Sequence, residues 1–269
     1  MLWPDLPVES LPVETLLAAS VAMALAWLWQ VRSNNAGIVD AVWALGISVS
    51  AFYYGFTGGG SEWLRWTVAL LMGCWYLRLG VYLTHRVVTE PEDGRYQYLR
   101  QYWGKRVNPY HFLFFQFQAL LIWCFSLPAW LIANGEVAAA GTQHITAVML
   151  ALVAFAGVTV SDKQLAQFRS QAANKGKVCE VGLWNYSRHP NYFFEWLHWF
   201  SYPLLAIGIV GGEWLWLAPV LMLLFLIFIT GIPYTEQQAI RSRGDAYLRY
   251  RETTSAFIPW MKSLDKESG

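Results

Sequence analysis

The sequence predicts an all-α integral membrane protein of seven transmembrane helices, with the N-terminus outside and the C-terminal tail cytoplasmic. Three observations predict it. Of 269 residues, 56% are hydrophobic and 14% charged, and the mean hydropathy is +0.31, more apolar surface than one soluble core buries. Seven windows are long and apolar enough to cross a hydrocarbon layer of roughly 30 Å. Of the 19 basic residues, 17 fall on one side of the resulting topology.

The windows run near 14–31, 36–57, 63–84, 110–133, 144–165, 192–210 and 213–232. The first reads as a retained helix, because Asp5, Glu9 and Glu14 stand where a cleaved leader would carry bases, and its apolar run is long. Windows two and five each contain an ionisable group. Arg32 follows the first window, and Arg86, Arg95, Arg100, Lys105 and Arg106 follow the third. Lys163, Arg169, Lys175, Lys177 and Arg188 surround the segment after the fifth, and six more bases lie in the tail. The opposite loops, 58–62, 134–143 and 211–213, hold Glu62, Glu136 and Glu213 and no base, which the positive-inside rule converts into orientation.

No repeat, low-complexity tract or linker divides the chain, so residues 1–269 read as a single membrane-embedded domain. The expected location is the inner membrane of a bacterium or the endoplasmic reticulum of a eukaryote, with membrane lipids as its surroundings and no obligate protein partner evident. Sixteen Trp, 14 Tyr and 15 Phe suit interfacial belts. A net charge of +1 offers no basic face for nucleic acid. Cys74, Cys124 and Cys179 are odd in number and widely spaced, so neither a disulfide framework nor a metal site is expected.

Four ionisable groups fall within or at the edge of spans: Asp40, Arg78, Asp162 and Glu195. Each costs about 2.5–3.5 kcal/mol at a helix centre, so intramembrane charge points to function. All four lie toward the cytoplasmic ends of their spans, which suggests a polar cavity open to that side. A structural alternative pairs Arg78 with Asp40 or lets Arg78 snorkel. A buried Asp40 that keeps its proton can act as a donor.

The segment from Ser161 continues as a polar helix in which Asp162 and Arg169, seven residues apart, share a face. Arg188, His189, Asn191, Tyr192 and Glu195 then crowd the start of the sixth span, with Pro190 at the helix start. An Arg, a His and free helix N–H groups make a phosphate or carboxylate site. His189 alone reads equally as an interfacial hydrogen-bonding residue. The Arg- and Tyr-rich tail reads either as a headgroup-facing amphipathic segment or as a lid that stacks Tyr on a flat ring.

Together, Gly182-Leu183-Trp184-Asn185-Tyr186-Ser187-Arg188-His189-Pro190-Asn191-Tyr192, Glu195, Tyr247, Tyr250 and Phe257-Ile258-Pro259-Trp260 resemble the bacterial branch of the steroid 5-alpha-reductase family. Asp40-Ala41-Val42-Trp43, Arg78-Leu79-Gly80 and Glu92-Asp93-Gly94-Arg95-Tyr96 extend the resemblance over nearly the whole chain. It implies NADPH-dependent reduction of a carbon–carbon double bond conjugated to a ketone, in a 3-oxo-Δ4-steroid or similar apolar lipid. By position, Asp162, Arg169, Asn191 and Glu195 match cofactor-contacting residues of the family. Tyr247 and Tyr250 join them from the tail, and Arg188, His189 and Tyr192 from local chemistry. In mammalian members a Glu and a Tyr hold the steroid carbonyl; here that Tyr position falls at or beside Trp75, next to Tyr76, and the Glu has no clear counterpart other than Asp40, a departure from the family pattern.

The expected catalytic pair is therefore Asp40 and Tyr76, and the expected substrate contacts are Trp43, Trp75 and Arg78. No Gly-x-Gly-x-x-Gly occurs, so a dinucleotide must lie among helices and their loops. Isoprenylcysteine carboxyl methyltransferases carry a similar Arg-His-Pro stretch, which leaves methyl transfer from S-adenosylmethionine as the rival reading. A small transporter with Asp40 and Arg78 on its path is the non-enzymatic one, and no inverted repeat supports it.

Overall fold

The computed structural model describes residues 11–229 and 231–263. These are helical, with no strand among them. Six helical stretches are long and apolar enough to cross a membrane among the described residues: Val13–Ser33, Ile38–Thr57, Glu62–Thr89, Gly94–Ala133, Thr142–Ser170 and Gly212–Arg243. We number the helices α1 (Val13–Ser33), α2 (Ile38–Thr57), α3 (Glu62–Thr89), α4 (Gly94–Trp103), α5 (Val107–Ala133), α6 (Thr142–Ser170), α7 (Pro190–Trp199), α8 (Ser201–Leu205), α9 (Leu217–Leu224), α10 (Ile232–Arg243) and α11 (Asp245–Thr253).

The window at 192–210 is not one continuous helix. It is α7 and the five-residue α8, interrupted at Phe200. Pro203 supplies the reason, since it has no N–H for the Trp199 carbonyl and its ring crowds that turn. Gly208 and Gly211, at φ 93° and 79°, then complete the turn away from the helix.

The chain divides into two compact units, Met1–Ala140 with Leu205–Gly212, and Gly141–Leu204 with Glu213–Gly269. In the first unit, α2 and α3 pack closely because small residues meet large ones. A Cβ on Gly73 would lie 2.6 Å from the Phe52 ring, and one on Gly80 2.6 Å from Leu45. The unit turns apolar side chains outward, as Leu17, Val21 and Leu25 do along α1, and keeps polar ones inside. Thr15 and the Tyr54 hydroxyl meet at 2.7 Å, Ser20 donates to Gln116 at 2.6 Å, and the fully buried Gln30 reaches Asn108. That arrangement suits a helix bundle in lipid, where polar groups are satisfied between helices.

In the second unit, α6 packs on α7 at Gly157, where a Cβ would stand 2.3 Å from the Phe194 ring. The loop returning from α6 is tied back to it: the Leu183 N–H donates to Gln164 and the Trp184 indole N–H to the Ser161 carbonyl, both at 2.9 Å. Gly182 makes this return possible with φ 58°, and a Cβ there would lie 2.2 Å from the Gln164 amide.

Candidate functional site

At the C-terminal end of α6 the second unit holds a cavity of about 260 Å³ lined by Leu165, Phe168, Arg169, Asn174, Lys175, Gly176, Lys177, Cys179 and Arg243. Four of these are cations and none is an acid. The loop walls are fixed by hydrogen bonds: Asn174 donates to the Phe168 carbonyl at 3.0 Å, and Arg243 Nε to the Lys177 carbonyl at 3.0 Å. The α6 face predicted to carry Asp162 and Arg169 thus leads to a basic chamber. Burial raises the Cys179 thiol pKa, against the pull of Arg169 and Arg243.

The start of α7 differs from expectation. Arg188 and His189, read as receptors for an external anion, already hold an internal one, Glu236 of α10. Arg188 Nε lies 2.7 Å from Glu236 Oε1, His189 Nε2 lies 3.4 Å from the same oxygen, and Arg251 Nε lies 3.4 Å from Oε2. Arg188 Nη1 also donates to the Thr254 and Arg251 carbonyls at 2.6 and 3.0 Å. Burial lowers the His189 pKa, opposed by Glu236. The Tyr192 ring stacks on His189 with centroids 5.4 Å apart and 4° between planes. Asn191, on the first turn of α7, has a buried Oδ1 with no hydrogen-bond partner. Glu195 follows one turn later.

Tyr247 and Tyr250 are packed inside rather than displayed as a stacking lid. They form a small core with Ala239, Val178 and Ile240, and the Tyr250 hydroxyl donates to the Trp184 and Ser187 carbonyls. Burial and the Glu236 charge push the Tyr247 pKa up to about 12, and burial raises that of Tyr250 further. The tail is laced to the α7 entrance: the Arg188 N–H donates to Ser255, Ser187 Oγ to Phe257 and the Trp260 N–H to Tyr186.

The other predicted residues lie in the first unit. Asp40 bonds neither Arg78 nor Tyr76; its carboxylate accepts from Arg95 Nη2 at 3.1 Å and from the Tyr96 hydroxyl at 2.7 Å. These partners come from α4, more than fifty residues on, which folds back over the start of α2. Asp93 caps α4 through the Arg95 N–H. Burial works against its ionised form, but the Arg95 bonds and charge prevail and lower its pKa. Beside it, Glu92 accepts the Ala36 N–H at 2.7 Å and is gripped twice by Arg100. The structure does bring Trp43 and Tyr76 together, edge to face at 5.6 Å, and sets Arg78 over the Trp75 ring at 5.7 Å. Tyr76 and Trp75 are buried, and the Trp43 indole N–H is buried with no hydrogen-bond partner.

The family described as "protein of unknown function (DUF1295)" matches residues 26–254. The chain belongs to this family. DUF1295 proteins are membrane proteins that include steroid 5-alpha-reductase-like members. No curated protein and no solved structure matches the chain. For this DUF1295 chain the sequence reading missed Lys175, Lys177 and Arg243 as walls of the Arg169 chamber, although their charges were visible. It also missed Glu236, one of three acids in the Arg- and Tyr-rich tail with Asp245 and Glu252, which nothing in the sequence singles out as the partner of Arg188.

Proposed function

We propose that the protein is an NADPH-dependent reductase of the double bond of an enone carried by an apolar molecule, such as a 3-oxo-Δ4-steroid. The observation that carries this reading is the acid-free basic chamber at Arg169. Its charge and volume fit phosphate groups, and four cations at one site are costly to hold together without an anion. Arg169, Lys175, Lys177 and Arg243 would hold the cofactor's phosphates, and the orphaned Asn191 Oδ1 fits an amide N–H donor such as a carboxamide. NADPH, when bound, supplies a hydride to the β carbon.

The chain's own residues supply the rest. Trp43, Trp75 and Tyr76 form a buried aromatic cluster, a composition that suits contact with a flat apolar ring system. The Tyr76 hydroxyl polarises the ketone oxygen as enolate charge develops. Asp40, first paired with Tyr76, holds the α4 clasp instead. Arg188 and His189 act by positioning α7, which carries Asn191, rather than by meeting phosphate themselves.

The test is to incubate the purified protein with NADPH and a steroid enone such as progesterone, following cofactor absorbance and product mass. Consumption of NADPH with a gain of two hydrogens supports the reading. Absence of NADPH binding together with methyl transfer from S-adenosylmethionine overturns it.

A further inference from the structure

In the first unit, α4 and the turn that follows it carry a basic and aromatic surface. From Gly94 to Gly135 the sequence contains no acid, while residues 94–106 include Arg95, Arg100, Lys105 and Arg106. Helix geometry divides this segment between two faces. Tyr96 and Arg100, one turn apart, face inward: the Tyr96 hydroxyl donates to Asp40, and Arg100 grips Glu92 and reaches Gln30. Tyr98 and Tyr102 fall on the opposite side, 59% and 73% exposed, and their rings stack with centroids 6.1 Å apart and 15° between planes. Lys105 and Arg106 are exposed just beyond them, and no acid pairs with either among the described residues.

The inward contacts set the depth of this surface. Gln30 is on the last turn of α1 and Asp40 on the first turn of α2, and the Tyr96 ring meets Phe114 of α5 at 6.3 Å. The helix α4 therefore stands where α1 ends and α2 and α5 begin, the depth of lipid headgroups around a spanning bundle. At that depth a tyrosine sets its ring against acyl chains and its hydroxyl among headgroups, and Lys or Arg beside a span draws anionic phosphate. A leaflet supplies both the apolar contact and the missing anion without a further chain.

We propose that Tyr98, Tyr102, Lys105 and Arg106 form a binding site for an anionic phospholipid of the adjacent leaflet. Its phosphate lies at Lys105 and Arg106, and its glycerol and upper acyl chain lie against the stacked tyrosines. The site shares no residue with the Arg169 chamber and does not depend on the reductase reading.

The test uses the full-length protein in non-ionic detergent, titrated with phosphatidylglycerol and separately with phosphatidylcholine of the same acyl chains, with bound lipid counted by native mass spectrometry. The wild type is expected to retain phosphatidylglycerol at least about fivefold more tightly, since each cation near an anionic surface contributes roughly that factor. Lys105→Gln combined with Arg106→Gln is expected to remove most of the preference, whereas Tyr98→Ser combined with Tyr102→Ser is expected to weaken both lipids together. All four side chains are exposed, so thermal midpoints in detergent alone are expected to stay at the wild-type value, which separates lost binding from lost fold. Equal retention of the two lipids by the wild type overturns the site. A preference that survives Lys105→Gln with Arg106→Gln also overturns it and places the lipid at another basic surface. A dimer that disappears in the tyrosine variant, with no preference between lipids, overturns it in favour of a second copy of the chain on this face.

Discussion

Arg188 and Glu236, 48 residues apart in the chain, meet as an ion pair at 2.7 Å with side chains only 10% and 11% exposed. Breaking a pair this enclosed from one side strands the other charge, at a typical cost of about 3–5 kcal/mol. Glu236→Ala is therefore expected to lower the unfolding midpoint in detergent sharply, as is Arg188→Ala. Arg251 touches the same carboxylate but is 42% exposed, so Arg251→Ala is expected to cost no more than about 1 kcal/mol. Equal losses for Arg188→Ala and Arg251→Ala would refute the ranking.

The His189 imidazole in this cluster gives a pH dependence whose sign follows from burial. Its folded pKa lies below the ordinary 6.5, so the unfolded chain binds more protons between the two values. Stability contributed by the neutral ring is full above pH 6.5 and is lost as pH falls from 6.5 toward the folded value. His189→Gln is expected to flatten the midpoint-versus-pH curve across that interval, on top of a pH-independent loss from the missing Glu236 and Tyr192 contacts. Asp93, with a lowered pKa, adds a separate loss beginning only as pH falls below its ordinary 3.8.

The difference between what was legible and what was not follows from the range of each interaction. Apolar runs are local, so α1, α2, α3, α5 and α6 stand where the windows put them, and the i, i+7 relation of Asp162 and Arg169 follows from helix geometry. Pairing across a fold is not local. Asp40 gave no sign that its partners would be Arg95 and Tyr96, and Arg188 gave none of Glu236, because in a one-dimensional pattern any opposite charge qualifies. The break at Phe200 was more accessible: Pro203 lies in the window, but the apolar run hid its effect on hydrogen bonding.

The Asp40 clasp separates two roles for that residue. If Asp40 serves mainly to anchor α4, Tyr96→Phe and Arg95→Ala are expected to reproduce the effects of Asp40→Asn, each lowering the unfolding midpoint, since each leaves part of a polar cluster unsatisfied at about 1–3 kcal/mol. A kcat loss in Asp40→Asn that neither neighbour reproduces would return Asp40 to the chemistry.

The basic chamber predicts how cofactor binding responds to charge. Arg169→Ala, Lys175→Ala, Lys177→Ala and Arg243→Ala each remove one of four cations around about 260 Å³ with no acid to compensate. Each is expected to weaken NADPH binding, measured by quenching of the 16 tryptophans, by roughly tenfold, as loss of about 1.4 kcal/mol of a charge-assisted contact implies. Loss of one cation should also weaken the dependence of affinity on salt, because fewer opposite charges are being screened. Affinity for NADH, which lacks the 2′-phosphate, should fall less than affinity for NADPH in at least one of the four variants, and that variant identifies the side chain that meets the phosphomonoester. If all four bound NADPH as the wild type does, the chamber would not be the cofactor's phosphate site.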